Sequence, residues 1–191
     1  EFSGARVRDK NGAGIRLEHG SLTLENCYFH HNEMGLLSAN DPEIRATIRN
    51  SEFSNNQQDY PATGKLSHNI YLGTIAEFHM ENSISRAARY GHAVKSRARK
   101  TTLVNNRVFD EGAIAASYLV DLPNGGRVLI ENNYFYRNGG ARNNAVVSYG
   151  AEGMTYAENA LTIKFNSIVN DGGVMFLLKN HSDIPAVLGQ N

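Results

Sequence analysis

A short phrase recurs about six times along the chain and limits the folds open to it more than any other feature. Leu22-Thr23-Leu24-Glu25-Asn26-Cys27-Tyr28-Phe29 returns as Ala46-Thr47-Ile48-Arg49-Asn50-Ser51-Glu52-Phe53 and as Phe78-His79-Met80-Glu81-Asn82-Ser83-Ile84. It returns again at Thr101 to Val108, Val128 to Phe135 and Leu161 to Ile168. The spacing is irregular, roughly 23 to 33 residues, and periods of this size belong to solenoids. Inside each copy the apolar residues alternate, the mark of a strand with one buried face. An Asn, often followed by a second Asn or Ser, then precedes another apolar residue. Asn tolerates the left-handed backbone region, so strand, Asn pair, strand predicts a sharp bend between two short strands. Bend residues repeated at one place in every coil can stack as a ladder of side-chain amides. Such a ladder satisfies buried polar groups that otherwise cost about 1–3 kcal/mol each.

A second strand phrase precedes each copy: Gly14-Ile15-Arg16-Leu17, Gly35-Leu36-Leu37-Ser38, Asn69-Ile70-Tyr71-Leu72, Ala93-Val94-Lys95-Ser96, Leu119-Val120-Asp121-Leu122 and Ala145-Val146-Val147-Ser148. Val174 to Leu178 opens one more. The expected architecture is therefore all-β: one domain over residues 1–191, a single-stranded parallel β-helix of about six to seven coils, with successive coils roughly 4.8 Å apart. The chain enters a coil almost at once and stops at what reads as another bend, so it is expected to be a segment of a longer protein. Neighbouring coils or caps and any export signal would lie elsewhere.

These Asn-bend phrases, which cover nearly the whole chain, resemble the right-handed parallel β-helix, or pectin lyase-like, superfamily. Four stretches, Ser67 to Gly73, Gly91 to Ala98, Asp121 to Gly126 and Ser148 to Gly153, are similar to bacterial right-handed β-helix repeat proteins within it. The resemblance implies the right-handed sense of the coil, a secreted, periplasmic or cell-surface location, and a groove for an extended polysaccharide on the sheet of the second phrase. It leaves the reaction open, since function lives in the site rather than in the fold. The clustered acidic triplets of a polygalacturonase-like hydrolase and the several calcium-binding aspartates of pectate lyases are not apparent.

Distances counted back from each bend put the second-phrase strands in register. Ile15 and Leu17, Ile70 and Leu72, Val94 and Ser96, and Val120 and Leu122 then point inward. The outward column reads Arg16, Leu36 or Leu37, Tyr71, Lys95, Asp121, and Val147 or Ser148, which brings Tyr71, Lys95 and Asp121 together. Two residues further on, Arg97 stands beside Lys95. His68 and His92 sit where their strands begin, and Tyr149 and Glu152 follow two coils beyond Lys95. Insertions at about 55–65 and 139–144 are expected to rise as walls.

The expected ligand is an acidic polysaccharide, and the expected reaction is β-elimination. Arg97 would clasp a uronate carboxylate in bidentate fashion. Lys95 would act as base, with Tyr71, Tyr149 or His92 as acid and Asp121 beside them. His68, Asn69, Tyr149, Glu152 and Arg16 would contact substrate. A C5-epimerase needs nearly the same set, a glycoside hydrolase would rest on Asp121 with Glu152, and a non-catalytic carbohydrate-binding or structural module would use the same face. No cofactor is required by this chemistry; calcium is the one ion the residues leave open, through Asp121 and Glu152. His30 and His31, as strand neighbours, are expected on opposite faces and so not to share a metal. Nineteen basic residues balance 19 acidic ones, which argues against nucleic acid as partner. No apolar run approaches the roughly 20 residues of a membrane span.

Overall fold

The computed structural model describes residues 1–58, 60–111 and 115–191. Its strands form three parallel sheets of seven strands each. Sheet 1 runs from Phe2–Ser3 to Ser167–Asp171, sheet 2 from Ala13–Leu17 to Phe176–Asn180, and sheet 3 from Ser21–Glu25 to Ala186–Gly189. Each coil supplies one strand to each sheet in turn, and each strand pairs with its counterparts one coil away. The chain is thus a parallel β-helix of seven coils. The one helical element among the described residues is the short turn Tyr60–Thr63, inside the insertion expected at 55–65; Asp59 lies outside the described residues.

The recurring phrase is the corner between sheets 3 and 1. Its first bend residue takes the left-handed conformation in coil after coil: Asn26 at φ 55°, Asn50 at 49°, Asn82 at 48°, Asn105 at 57°, Asn132 at 55° and Phe165 at 57°. Asn enters this region with little penalty, whereas most side chains are strained there. The ladder runs through the second bend position, not the first. Cys27 N donates to Ser51 Oγ, Ser51 N to Ser83 Oγ, and Ser83 N to Asn106 Oδ1. From there the rungs are amides: Asn106 Nδ2 reaches Asn133 Oδ1 at 3.1 Å, Asn133 Nδ2 reaches Asn166 Oδ1 at 3.0 Å, and Asn166 Nδ2 reaches Asn191 Oδ1 at 2.8 Å. A second ladder, with no counterpart in the sequence reading, lines the turns between sheets 1 and 2. There Asn32 donates to Asn56 and Asn56 to Asn69, both at 3.0 Å.

Between the corners the core is a set of like-on-like stacks. Phe2, Phe29 and Phe53 stack at 4.7 and 4.8 Å with nearly parallel rings. The column continues through Ser85, Val108, Phe135 and Ile168. Ser85 is tolerated in this apolar column because its hydroxyl donates to the Ala93 carbonyl at 2.8 Å and accepts from Asn69 at 3.1 Å; a buried hydroxyl without partners would be costly.

His31 breaks the strand expected to carry it. At φ 54° it turns out of sheet 1, and its Nδ1 meets that of His30 at 2.7 Å, so the two rings are not on opposite faces.

Two substitutions test the corner. Asn133→Ala removes the acceptor that holds both the backbone N–H and the Nδ2 of Asn106. Stability in denaturant unfolding should fall by about 2–4 kcal/mol, since both orphaned donors are buried. Phe165→Asn puts the favoured residue at a corner that lacks it, and should raise stability by up to about 1 kcal/mol.

Candidate functional site

The register of sheet 2 follows the outward column read from the sequence and resolves its two ambiguous positions. Arg16, Leu37, Tyr71, Lys95, Asp121, Ser148 and Lys179 are successive partners across the sheet. Leu36 and Val147 instead align with the inward residues Ile15, Ile70 and Val120. Tyr71, Lys95 and Asp121 therefore stand side by side in three consecutive coils.

Their polar atoms form one network. Lys95 Nζ lies 3.0 Å from Asp121 Oδ2 and 3.3 Å from Glu152 Oε1. Arg97 takes the same Glu152 carboxylate in a fork, Nη1 to Oε2 at 2.5 Å and Nη2 to Oε1 at 3.0 Å. Its Nε donates to the Tyr71 hydroxyl at 3.3 Å, and Nη1 also reaches Asn124 Oδ1 at 2.5 Å. Both cations lie over the Tyr71 ring at 5.7–5.8 Å, within cation–π range. Asn124 and Tyr156, whose hydroxyl donates to the Arg97 carbonyl, were not singled out from sequence. Both sit in turns, and turn residues carry no periodic signal.

This cluster differs from the ordinary ion pairs on sheet 3. There Arg45, Glu77 and Lys100 form a cross-coil series whose side chains remain 30–57% exposed, the kind of pairing that contributes little. Lys95 and Asp121 keep only 11% and 5% of their side-chain surface. A buried pair must offset a large desolvation cost, so plain cross-coil pairing does not account for it.

Glu152 sits in the turn after the sixth strand of sheet 2, between Gly150 and Gly153, which have φ of 78° and 95°. Its carboxyl is held below the ordinary range by the Arg97 hydrogen bond and by Lys95. Burial pulls the Arg97 guanidinium down, but Glu152 and Tyr71 outweigh it and raise the group overall. A carboxyl held ionised is a poor general acid, which counts against the hydrolase pairing of Glu152 with Asp121.

Five other expectations need correction. Tyr149 is fully buried; its strand position pairs with the inward Leu122, and its hydroxyl donates to the Gly126 carbonyl at 2.8 Å. Burial pushes that hydroxyl up to about 12, and it faces the core, away from any ligand on sheet 2. Asn69 is likewise buried as a rung of the second ladder. Arg16 is on the right face but pairs with Glu18, three coils from Lys95, roughly 14 Å at the usual strand spacing. His92 lies behind Asp121 rather than over the groove: its side chain is 6% exposed and its Nε2 is 3.4 Å from Asp121 Oδ2. It stacks between His68, at 4.9 Å, and Tyr118, at 5.7 Å. His68 is buried as well and meets the edge of Tyr71 at 5.3 Å.

Burial pushes His92 down to about 4, against the partial opposition of Asp121, and His68 well below its ordinary value. Both rings are therefore neutral near pH 7. In the unfolded chain they take up protons from about pH 6.5 downward, while folded His92 does not until about pH 4. Stability is thus complete above about pH 6.5 and is lost as pH falls toward 4, with His92 alone responsible for about 3 kcal/mol. Denaturant unfolding at pH 7 and pH 5 should show this loss, and His92→Phe should make the difference smaller.

A family model described as the right-handed β-helix region matches residues 1–188. Comparison with curated proteins and with solved structures returned no match. With the family match spanning nearly every coil and three parallel sheets wound as a solenoid, the chain belongs to the right-handed β-helix family.

Proposed function

We propose that sheet 2 binds an acidic polysaccharide and that the chain cleaves it by β-elimination, outside the cytoplasm or at the cell surface. One observation carries the reading. In the free protein, Arg97 and Lys95 already clasp a carboxylate, that of Glu152, from two sides. Forked guanidinium pairing is the geometry that recognises a carboxylate specifically, and a uronate sugar brings the same group. Glu152 is half exposed and carried on a glycine-flanked turn, so an incoming carboxylate can displace it.

Once Glu152 swings away, Arg97 neutralises the uronate carboxylate and so favours removal of the adjacent C5 proton. Lys95 faces the groove beside Asp121; once its ammonium proton has been released to solvent, its neutral amine takes the C5 proton. The Tyr71 hydroxyl accepts from Arg97, which leaves its own hydrogen for the departing glycosidic oxygen. The electrons of the C5–H bond form the new double bond as the C4–O bond breaks. General acid–base groups of this kind are worth about 10²–10⁴-fold each.

A second reading, a non-catalytic binding module, is favoured by the completeness of the pairing. Lys95 is held by two carboxylates, and both histidines are packed away from the groove. The two readings part in one assay. On a panel of uronate polymers, elimination yields an unsaturated product absorbing in the ultraviolet, and Lys95→Ala should lower its rate by about 100-fold or more. Retained binding with no absorbance on any polymer supports the module instead. In either case Glu152→Gln, which removes the competing charge, should tighten binding of a uronate oligosaccharide by about five-fold or more in calorimetry, and Arg97→Ala should weaken it. Unchanged affinity in Glu152→Gln would refute the shared carboxylate site.

A further inference from the structure

The turns that lead into sheet 2 carry a second group of cations, none of which belongs to the network around Lys95. Arg6, Lys10 and Arg89 line a cavity of about 390 Å³ together with Gln57, Gln58 and Tyr90. These residues come from the turns of different coils, so the cavity extends along the solenoid axis. The acid in its wall, Glu33, is 1% exposed, and its Oε2 already accepts the backbone N–H groups of Val7 and Gly12 at 3.1 and 2.7 Å. Among the described residues, Arg6, Lys10 and Arg89 make no ion pair. In a chain with net charge +0, three cations around one cavity with no ion pair among the described residues are a local concentration, not a reflection of composition.

The glutamines add the observation that selects a ligand. Gln58 is 6% exposed, and its Nε2 donates to the Lys65 carbonyl at 2.9 Å, which fixes the orientation of the amide. Its Oε1 is closed off from solvent and accepts no hydrogen bond, and the same is true of Gln57 Oε1. Buried acceptors in this state call for donors. A bare anion such as sulfate would satisfy the cations and leave both oxygens unsatisfied. An acidic sugar offers a charged group and hydroxyl donors together. To reach the two oxygens it must part the side chains above them, and the exposed cations Arg6, Lys10 and Arg89 are the adjustable part of that wall.

We infer that this cavity is a second binding site for an acidic sugar, set in the turn wall beside the strand starts of sheet 2. Tyr90 stands two residues before His92, so one polymer strand can run from this wall toward sheet 2. The inference rests on the acidic-polysaccharide reading only in assigning both sites to one polymer. The cavity's own groups specify the ligand class.

The test separates the two sites by working in Arg97→Ala protein, where the guanidinium that clasps a carboxylate on sheet 2 is absent. The side-chain amide signals of Gln57 and Gln58 are followed by NMR during titration with a glucuronate-containing disaccharide, with glucose, and with sodium sulfate. The expected result is a saturable shift with the disaccharide alone, weakened about five-fold or more by Arg89→Ala and by Lys10→Ala. Equal shifts with sulfate would reduce the cavity to a general anion site, and equal shifts with glucose would remove the role of charge. Either outcome, or no shift with the disaccharide, overturns the proposal. So would titrations unaffected by both substitutions, whatever becomes of the elimination assay on sheet 2.

Discussion

Everything in this molecule depends on a two-residue corner. One residue enters the left-handed backbone region, and the next turns its side chain inward to hydrogen-bond the same position one coil away. The first requirement is steric and the second is electrostatic. Together they set where each strand of sheet 3 ends and each strand of sheet 1 begins. Because the corner recurs in every coil, it also aligns the strands of sheet 2, which lie half a coil away. A one-residue slip at any corner would turn that coil's apolar residues toward water and its charges toward the core.

That dependence explains how much was legible in the sequence. The corner residues are local and chemically narrow, so counting from them places Tyr71, Lys95 and Asp121 in one row, as they stand in the sheet. The same counting brought Arg97 beside Lys95. What failed lay outside the reach of register. Tyr149 fell near the groove in sequence but on the buried side of its strand, where one position along a strand reverses the facing, and Asn69 lies in the turn ahead of its strand, held in the second ladder. Asn124, Tyr156 and the reach of Glu152 back across the coils come from turns, whose path depends on glycine conformation and tertiary contact rather than on period. The second ladder leaves no periodic trace in the sequence, because Asn32, Asn56 and Asn69 are unevenly spaced, an insertion separating the last two.

The placement of charge distinguishes the faces of the solenoid. Sheet 3 carries ordinary alternating pairs in water. Sheet 2 holds Lys95 and Asp121 largely out of solvent, backed by two neutral histidine rings that keep water from the rear of the pair. Solvent exclusion strengthens every Coulombic interaction in such a place. Arg97 and Glu152 stand at the solvent edge, where exchange of one carboxylate for another is feasible. A dry base under an exchangeable rim is a sound arrangement for recognising a charged polymer, since the rim supplies contact and the base supplies orientation.

The chemical change along the first ladder gives the molecule a polarity. Its rungs begin as thiol and hydroxyl at Cys27, Ser51 and Ser83 and continue as amides at Asn106, Asn133 and Asn166. A hydroxyl ties one backbone amide to its neighbour, whereas Asn133 alone bonds Leu103, Glu131, Asn106 and Asn166. In a structure whose coils touch only their neighbours, local opening follows the strength of each corner. Opening is therefore easier at the corners with hydroxyl rungs and harder from Asn106 onward, at the corner that closes the coil bearing Lys95 and Arg97. The stiff half of the spine lies under the face that must hold its geometry, and the yielding half lies under the turns that line the second cavity.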